Sequence, residues 1–172
     1  MCQQSLAIHL TQTLTDEDRQ ILLGWSEDPF GISHITWHGR KKDWHFMGYA
    51  EGQLVSHVGL LQDEVRVAGQ PVQIGGVGAV VTIPPAQGKG YASLLMQHAA
   101  TLMRETWAVE FGLLFCLQRT FPFYRRLGWH EVVSPVSIEQ SIGRVPAPVP
   151  VMILPCAGAA WPQGEVEMGL PW

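Results

Sequence analysis

Val80-Val81-Thr82-Ile83-Pro84-Pro85-Ala86-Gln87-Gly88-Lys89-Gly90-Tyr91-Ala92 joins an apolar run to an amphipathic one. Pro84 and Pro85 end a strand by removing backbone donors. From about Lys89 to Trp107, residues Ala92, Leu95, Met96, Ala99, Leu102 and Met103 recur at three- and four-residue spacing. That stripe predicts a helix packed on a core. A strand therefore feeds a helix through a loop containing two glycines. The first turn of a helix presents unpaired N–H groups and a partial positive charge. Gly88 and Gly90 remove side chains there and Lys89 adds a cation, which makes an anion site of phosphate type. Neither the Walker string GxxxxGK[ST] nor the complete GxGxxG fingerprint is present. Taken alone, the loop also fits a plain turn before a helix.

Upstream, Trp44 to Thr82 forms three runs punctuated by Gly52-Gln53 and Gly69-Gln70, the pattern of an antiparallel meander. Gly75-Gly76-Val77-Gly78 lies inside the third run, which predicts a bulge or the close approach of another group. Thr15-Asp16-Glu17-Asp18 opens an earlier helix, with Ile21, Leu22 and Trp25 as its buried stripe. Residues 30 to 43 are irregular and rich in Gly, His and Trp. Downstream, Phe111 to Leu117 reads as a strand buried on both faces. Thr120 to Leu127 reads as a short helix closed by Gly128. Trp129 to Val133 and Val151 to Leu154 read as late strands, joined through the Pro-rich stretch Val145 to Pro150. The order predicts one α/β domain over residues 1–172 with a mixed sheet.

A chain of 172 residues can bury a core of that kind. No stretch reaches the roughly 20 uncharged apolar residues that cross a bilayer. The opening MCQQSLAIHLTQTL has no Lys or Arg before its apolar patch, unlike a signal peptide. The net charge is −4, and the only dense basic cluster, Arg40-Lys41-Lys42, reads as a solvated turn. Neither nucleic acid nor membrane is an expected partner, and the mild acidity suits a cationic substrate. Cys2, Cys116 and Cys156 are odd in number and widely spaced, which points to reduced thiols and a cytoplasmic protein. No CxxC pair is present, so no metal is expected.

In this context Gln87-x-x-Gly90-x-Ala92 resembles the Q/R-x-x-G-x-G/A pyrophosphate motif of the GNAT N-acetyltransferases. Phe123-Tyr124-Arg125-Arg126-Leu127-Gly128-Trp129 is similar to that family's second signature, a tyrosine helix followed by Gly and an aromatic. One helix and one buried strand separate the two, and the resemblance covers roughly residues 44 to 135. It implies a GNAT fold: a mixed, mostly antiparallel sheet with a splayed parallel strand pair and flanking helices. It implies acetyl-CoA as cosubstrate, no metal, and direct transfer of acetyl from the thioester to an amine. Gln87, Gly88, Lys89, Gly90, Tyr91 and Ala92 would hold the pyrophosphate. The pantetheine arm would insert between residues 77 to 82 and 111 to 117, along Val80, Val81 and Thr82. The amide of Val80 or a near neighbour would polarise the thioester carbonyl. Tyr124 takes the place of the proton donor, with a core aromatic as the other reading. The base is open among Asp63, Glu64, His57, Glu110 and a terminal carboxylate. Cys116 has no neighbour in sequence that would activate it.

Leu54-Val55-Ser56-His57-Val58, Gln62, Gly69-Gln70 and Val77 resemble, more narrowly, the aminoglycoside 2'-N-acetyltransferases. The ending Gly169-Leu170-Pro171-Trp172 matches them in kind, which implies that the Trp172 carboxylate holds the substrate ammonium. A frayed end is the other reading. That subgroup carries an acid on the bulged strand where this chain has Gly78. The expected acceptor is therefore the primary amine of a small molecule, aminoglycoside-like or another. Trp37, His38, Trp44 and His45 either line its site or pack the irregular segment. A protein or peptide acceptor, a longer acyl donor and a coenzyme-A-binding sensor without catalysis are the alternatives. Exchange of a C-terminal strand between subunits, giving a homodimer, is left open.

Overall fold

In the computed structural model, which describes residues 5–172, β1 (Leu6–Thr11) precedes α1 (Asp16–Leu23) and pairs antiparallel with β2 (Trp44–Ala50). Cys2 lies outside the described residues. Thr15 caps α1 reciprocally with Asp18: Thr15 Oγ1 accepts the Asp18 amide at 3.1 Å and Asp18 Oδ2 accepts the Thr15 amide at 3.0 Å. The expected stripe narrows to Leu22, since Ile21 and Trp25 are each 41% exposed. A helix this short turns only one row toward the sheet.

The meander is present. Glu51-Gly52 joins β2 to β3 (Gln53–Val67), and Ala68-Gly69 joins β3 to β4 (Gln70–Thr82). All four turn residues have positive φ, the geometry that matches the twist of paired strands. Between β3 and β4 the register runs His57↔Val81 and then Gly59↔Gly78, so Ala79 and Val80 together oppose Val58. This is a β-bulge, and Ala79 adopts φ 48° to make it.

The bulge falls just past the glycine run. The glycines instead make room for side chains. A Cβ on Gly75 would collide with Met103 Sδ, and one on Gly76 would lie 2.6 Å from Trp172 Cε2. A Cβ on Gly78 would lie 2.8 Å from Lys42 Cε and 3.2 Å from Trp172 Cδ1.

After β4 comes α2 (Tyr91–Thr101), which buries Leu95, Met96 and Ala99 and then loosens into a π-helical turn over Leu102–Thr106. β5 (Phe111–Phe115) runs parallel to β4, but pairing extends only from Ile74↔Phe111 to Val77↔Leu114. β4 continues to Thr82 without β5, so the two strands part just before the bulge. α3 (Phe121–Arg126) follows, and Gly128 stops it with φ 91°.

The remaining strands are β6 (His130–Glu131), β7 (Val136–Gln140), β8 (Gly143–Pro146), β9 (Val151–Pro155) and β10 (Val166–Glu167). The sheet order is β6-β9-β5-β4-β3-β10-β7-β8, with β2 also paired to β3 and β1 to β2. The fold is a mixed, mostly antiparallel α/β sheet with a splayed parallel pair and flanking helices. β8 takes Val145 and Pro146 out of the expected connection. β1, β7, β8 and β10 carry no signal in the sequence reading above. Among the described residues, no helix is long and apolar enough to cross a membrane.

Candidate active site

Three cavities meet around the bulge. The first, of about 460 Å³, lies at the glycine loop and is lined by Thr82, Gln87, Gly88, Gly90, Tyr91 and Ala92. Gly88 and Gly90 have φ 77° and 81°, a conformation that favours glycine, and a Cβ on either would meet nothing within 4 Å. The space beside both glycines at the start of α2 is therefore open, as an anion site requires. Gln87 Nε2 donates to the Thr82 carbonyl at 3.0 Å and braces the loop against β4. Arg126 of α3 adds a guanidinium to the wall. Arg126 is the second arginine of Phe123 to Trp129, and nothing in that stretch alone distinguishes it from Arg125. Lys89 and Val81 do not line this cavity, and Val81 faces the opposite side of β4.

The second cavity, of about 300 Å³, opens where β4 and β5 part. Gly78, Ala79 and Val80 form one side and Phe115, Cys116 and Leu117 the other. Tyr124 lines both this cleft and the first cavity, at their junction. It is 8% exposed, and burial, with Cys116 nearby, pushes its phenol well above the ordinary value. The O–H therefore stays protonated and available as a donor. Its carbonyl accepts the amides of Leu127 at 2.9 Å and Trp129 at 3.1 Å, and its ring packs on Phe123 and Trp129. Burial pushes the Cys116 thiol up to about 11, so it is not a ready thiolate.

The third cavity, of about 510 Å³, lies across β4 and is lined by Arg19, Lys42, His45, His57, Ala79 and Val81, among others. His57 is 2% exposed, with Nδ1 2.7 Å from the Ala79 carbonyl oxygen and Nε2 2.9 Å from His45 Nδ1. Burial lowers His57 to about 4, and burial with the cations Arg19 and Lys42 lowers His45. Burial, with Arg19 adding, brings Lys42 down to about 8. Of the other expected bases, Asp63 pairs with Arg40 at 3.4 Å, Glu64 accepts Gln73 Nε2 at 2.6 Å and Glu110 accepts the Gln73 amide at 2.8 Å. None of the three lines a cavity at the bulge.

Trp172 is docked, not frayed. Its indole covers Gly76, donates from Nε1 to the Val77 carbonyl at 3.1 Å and packs edge-on to Phe115. Trp172 lines none of the three cavities and reaches the cleft through Phe115, which does. Of the four aromatic candidates, Trp37 lines the cleft and His45 the third cavity, while Trp44 packs against the core. His38 is tied through its backbone to Gln140.

A splayed strand pair beside a bulge, with a glycine loop at a helix start, is the architecture of an acetyltransferase. The chain belongs to the acetyltransferase (GNAT) domain family, whose pattern matches residues 14–132. Among solved structures it is similar to Escherichia coli ElaA, at 15% identity and TM-score 0.58, covering 87% of this chain and 99% of that one. A GNAT family acetyltransferase from Brucella melitensis in complex with acetyl-CoA is similar at 16% identity and TM-score 0.54, covering 93% and 94%. An acyl-CoA N-acyltransferase from Pseudomonas aeruginosa is similar at 19% identity and TM-score 0.55, covering 87% and 99%. At these identities the likeness is one of fold. Other matched chains are longer, and this chain spans 22%, 34% and 33% of three of them. No curated protein matches.

Proposed function

We propose that the protein transfers acetyl from acetyl-CoA directly to the primary amine of a small molecule. The observation that carries this reading is the placement of Tyr124 at the junction of the glycine-loop cavity and the strand cleft. The pyrophosphate sits on the amides of Gly88 to Ala92, with Gln87 bracing the loop, Arg126 adding charge and Lys89 on the rim. The pantetheine arm runs along the backbone of Val80, Val81 and Thr82 on the β4 side of the cleft, with the Val81 side chain turned to the other face. The bulge takes Val80 out of the regular ladder, which leaves its amide to polarise the thioester carbonyl. The amine nitrogen, already relieved of one proton, attacks the carbonyl carbon and the C–S bond breaks. The departing sulfur takes a proton from the Tyr124 hydroxyl, the second amine proton leaves to solvent or to a base, and Tyr124 regains its proton from solvent before the next turnover.

Within the same reading Trp172 holds the acceptor side of the cleft. The ammonium-binding role that the aminoglycoside resemblance implies for its carboxylate belongs to this proposal. Appending one glycine after Trp172 tests that role, since the carboxylate moves while the indole stays.

The test of the whole is release of free coenzyme A from acetyl-CoA across a panel of small amines, aminoglycosides and peptides. Amine-dependent release with small molecules, and acetyl recovered on nitrogen, is the expected result. Binding of coenzyme A with no turnover on any amine would overturn it in favour of a sensor. Turnover confined to peptides would overturn the small-molecule acceptor.

A further inference from the structure

Lys42 crosses the sheet over two glycines. A Cβ on Gly59 would lie 2.8 Å from Lys42 Cγ, and one on Gly78 would lie 2.8 Å from Cε and 3.3 Å from Nζ. A side chain at either position would obstruct that path. The two glycines deliver the ammonium to the boundary between the strand cleft and the third cavity, both of which Lys42 lines.

The third cavity adds Arg19, Arg40 and Lys41, and among the described residues neither wall contains a carboxylate. The nearby acids are each engaged, two of them by Arg40 of this cavity's own wall, which leaves Arg19, Lys41 and Lys42 as its other cations. Asp18 closes the α1 cap, and Asp43 and Asp63 hold Arg40 at 3.2 and 3.4 Å. Arg119, at the edge of the cleft, donates to the Phe30 carbonyl at 3.1 Å. Arg19, Lys41 and Lys42 thus converge on a concave site in a chain whose net charge is −4. Concentrating one sign of charge against the overall charge makes the cavity complementary to an anion. The depressed Lys42 ammonium agrees with a cation lacking a facing counter-charge.

We propose that the acceptor amine also carries a carboxylate or phosphate group, seated between Lys42 and Arg19, with its amine in the cleft beside Gly78 and Val80. The amine's position rests on the acetyltransferase reading above; the anion seat does not. Phe30, Ile32, Trp37 and Val149 leave apolar room for the acceptor's body. The mild overall acidity suits the acceptor's amine, and the local positive charge suits a second, anionic group on the same molecule.

Matched ligands test this on the full chain loaded with coenzyme A. α-Amino acids are titrated against their amides, and O-phosphoethanolamine against ethanolamine, with binding read calorimetrically and turnover read separately. At least one anionic member should bind tenfold or more tightly than its neutral match, and the pair that shows it identifies carboxylate or phosphate. Lys42→Met should reduce that preference to within threefold, Lys42→Arg should retain most of it, and Arg19→Gln should weaken it. No preference in any pair, or equal losses for both members in Lys42→Met, would overturn the anion seat. A carboxylate or phosphate preference in binding without acetylation of any member would leave the seat standing and overturn the placement of the amine in the cleft.

Discussion

His57 Nδ1 lies 2.7 Å from the carbonyl oxygen of Ala79, and that contact sets the protons of two histidines. A carbonyl only accepts, so His57 Nδ1 carries hydrogen. Burial keeps His57 neutral, so its Nε2 accepts, and His45 Nδ1 at 2.9 Å must donate to it. With His45 also neutral, its Nε2 is left as a bare lone pair in the third cavity. The contact also satisfies a carbonyl that the bulge removes from the regular ladder.

The pH dependence of stability follows. In the unfolded chain His57 takes a proton near 6.5, whereas in the native state it does so near 4. Between these values the unfolded state binds the proton that the native state refuses. Stability from this site is therefore full above pH 6.5 and falls as pH drops toward 4, by about 3 kcal/mol in all. Urea unfolding of wild type and His57→Gln from pH 7 to pH 4.5 measures it. The variant should start lower and fall less steeply, and parallel curves would mean that His57 is not held neutral.

Tyr124→Phe removes only the hydroxyl from a ring packed on Phe123 and Trp129. Turnover should drop by about 10²–10⁴-fold, the usual range for loss of a general acid. The affinity for coenzyme A should change less than threefold. Turnover within threefold of wild type would assign the proton to another donor.

Gly90→Ala places a methyl group at φ 81°, costing about 1–2 kcal/mol of backbone strain. The same methyl stands in the open space before α2. Coenzyme A, titrated calorimetrically, should bind at least tenfold more weakly. Unchanged affinity would move the pyrophosphate away from this loop.

Trp172→Ala should cost about 3–5 kcal/mol, the range for removing a buried large aromatic side chain. In a domain of this size that lowers the melting temperature by roughly 10 °C. Gly76→Ala should approach the same loss from the other side, because its Cβ would strike the rigid indole. Scanning calorimetry of both variants decides it, and a shift under 2 °C in each would mean that the indole is not a structural member.

The helices and the meander were legible because their periods are long enough to stand out. Leu95, Met96, Ala99 and Met103 share one helical face, and positive-φ pairs end the first two runs. β10 spans two residues and offers no period to detect, while β7 and β8 mix polar with apolar positions. Gly75, Gly76 and Gly78 announced a close approach, but not that Met103, Trp172 and Lys42 would make it. Such contacts come from opposite ends of the chain and leave no local mark. Lys42 was hidden the same way: in sequence it is the last of three basic residues in a turn, and only the glycines beneath it show where its charge goes.

The two-for-one step at Ala79-Val80 imposes a parity rule on β4. Beyond it, Val81 looks toward His57 and the third cavity, while Thr82 looks toward the glycine loop. Deleting one residue at the step would restore a regular ladder, with Val81 still opposite His57 and Thr82 still opposite Ser56, and would erase the bulge beside the cleft. Length changes in β4 should therefore be far less tolerated than changes of side chain. In this strand the count of residues, more than their identity, keeps the glycine-loop cavity and the third cavity on opposite faces with the cleft between them.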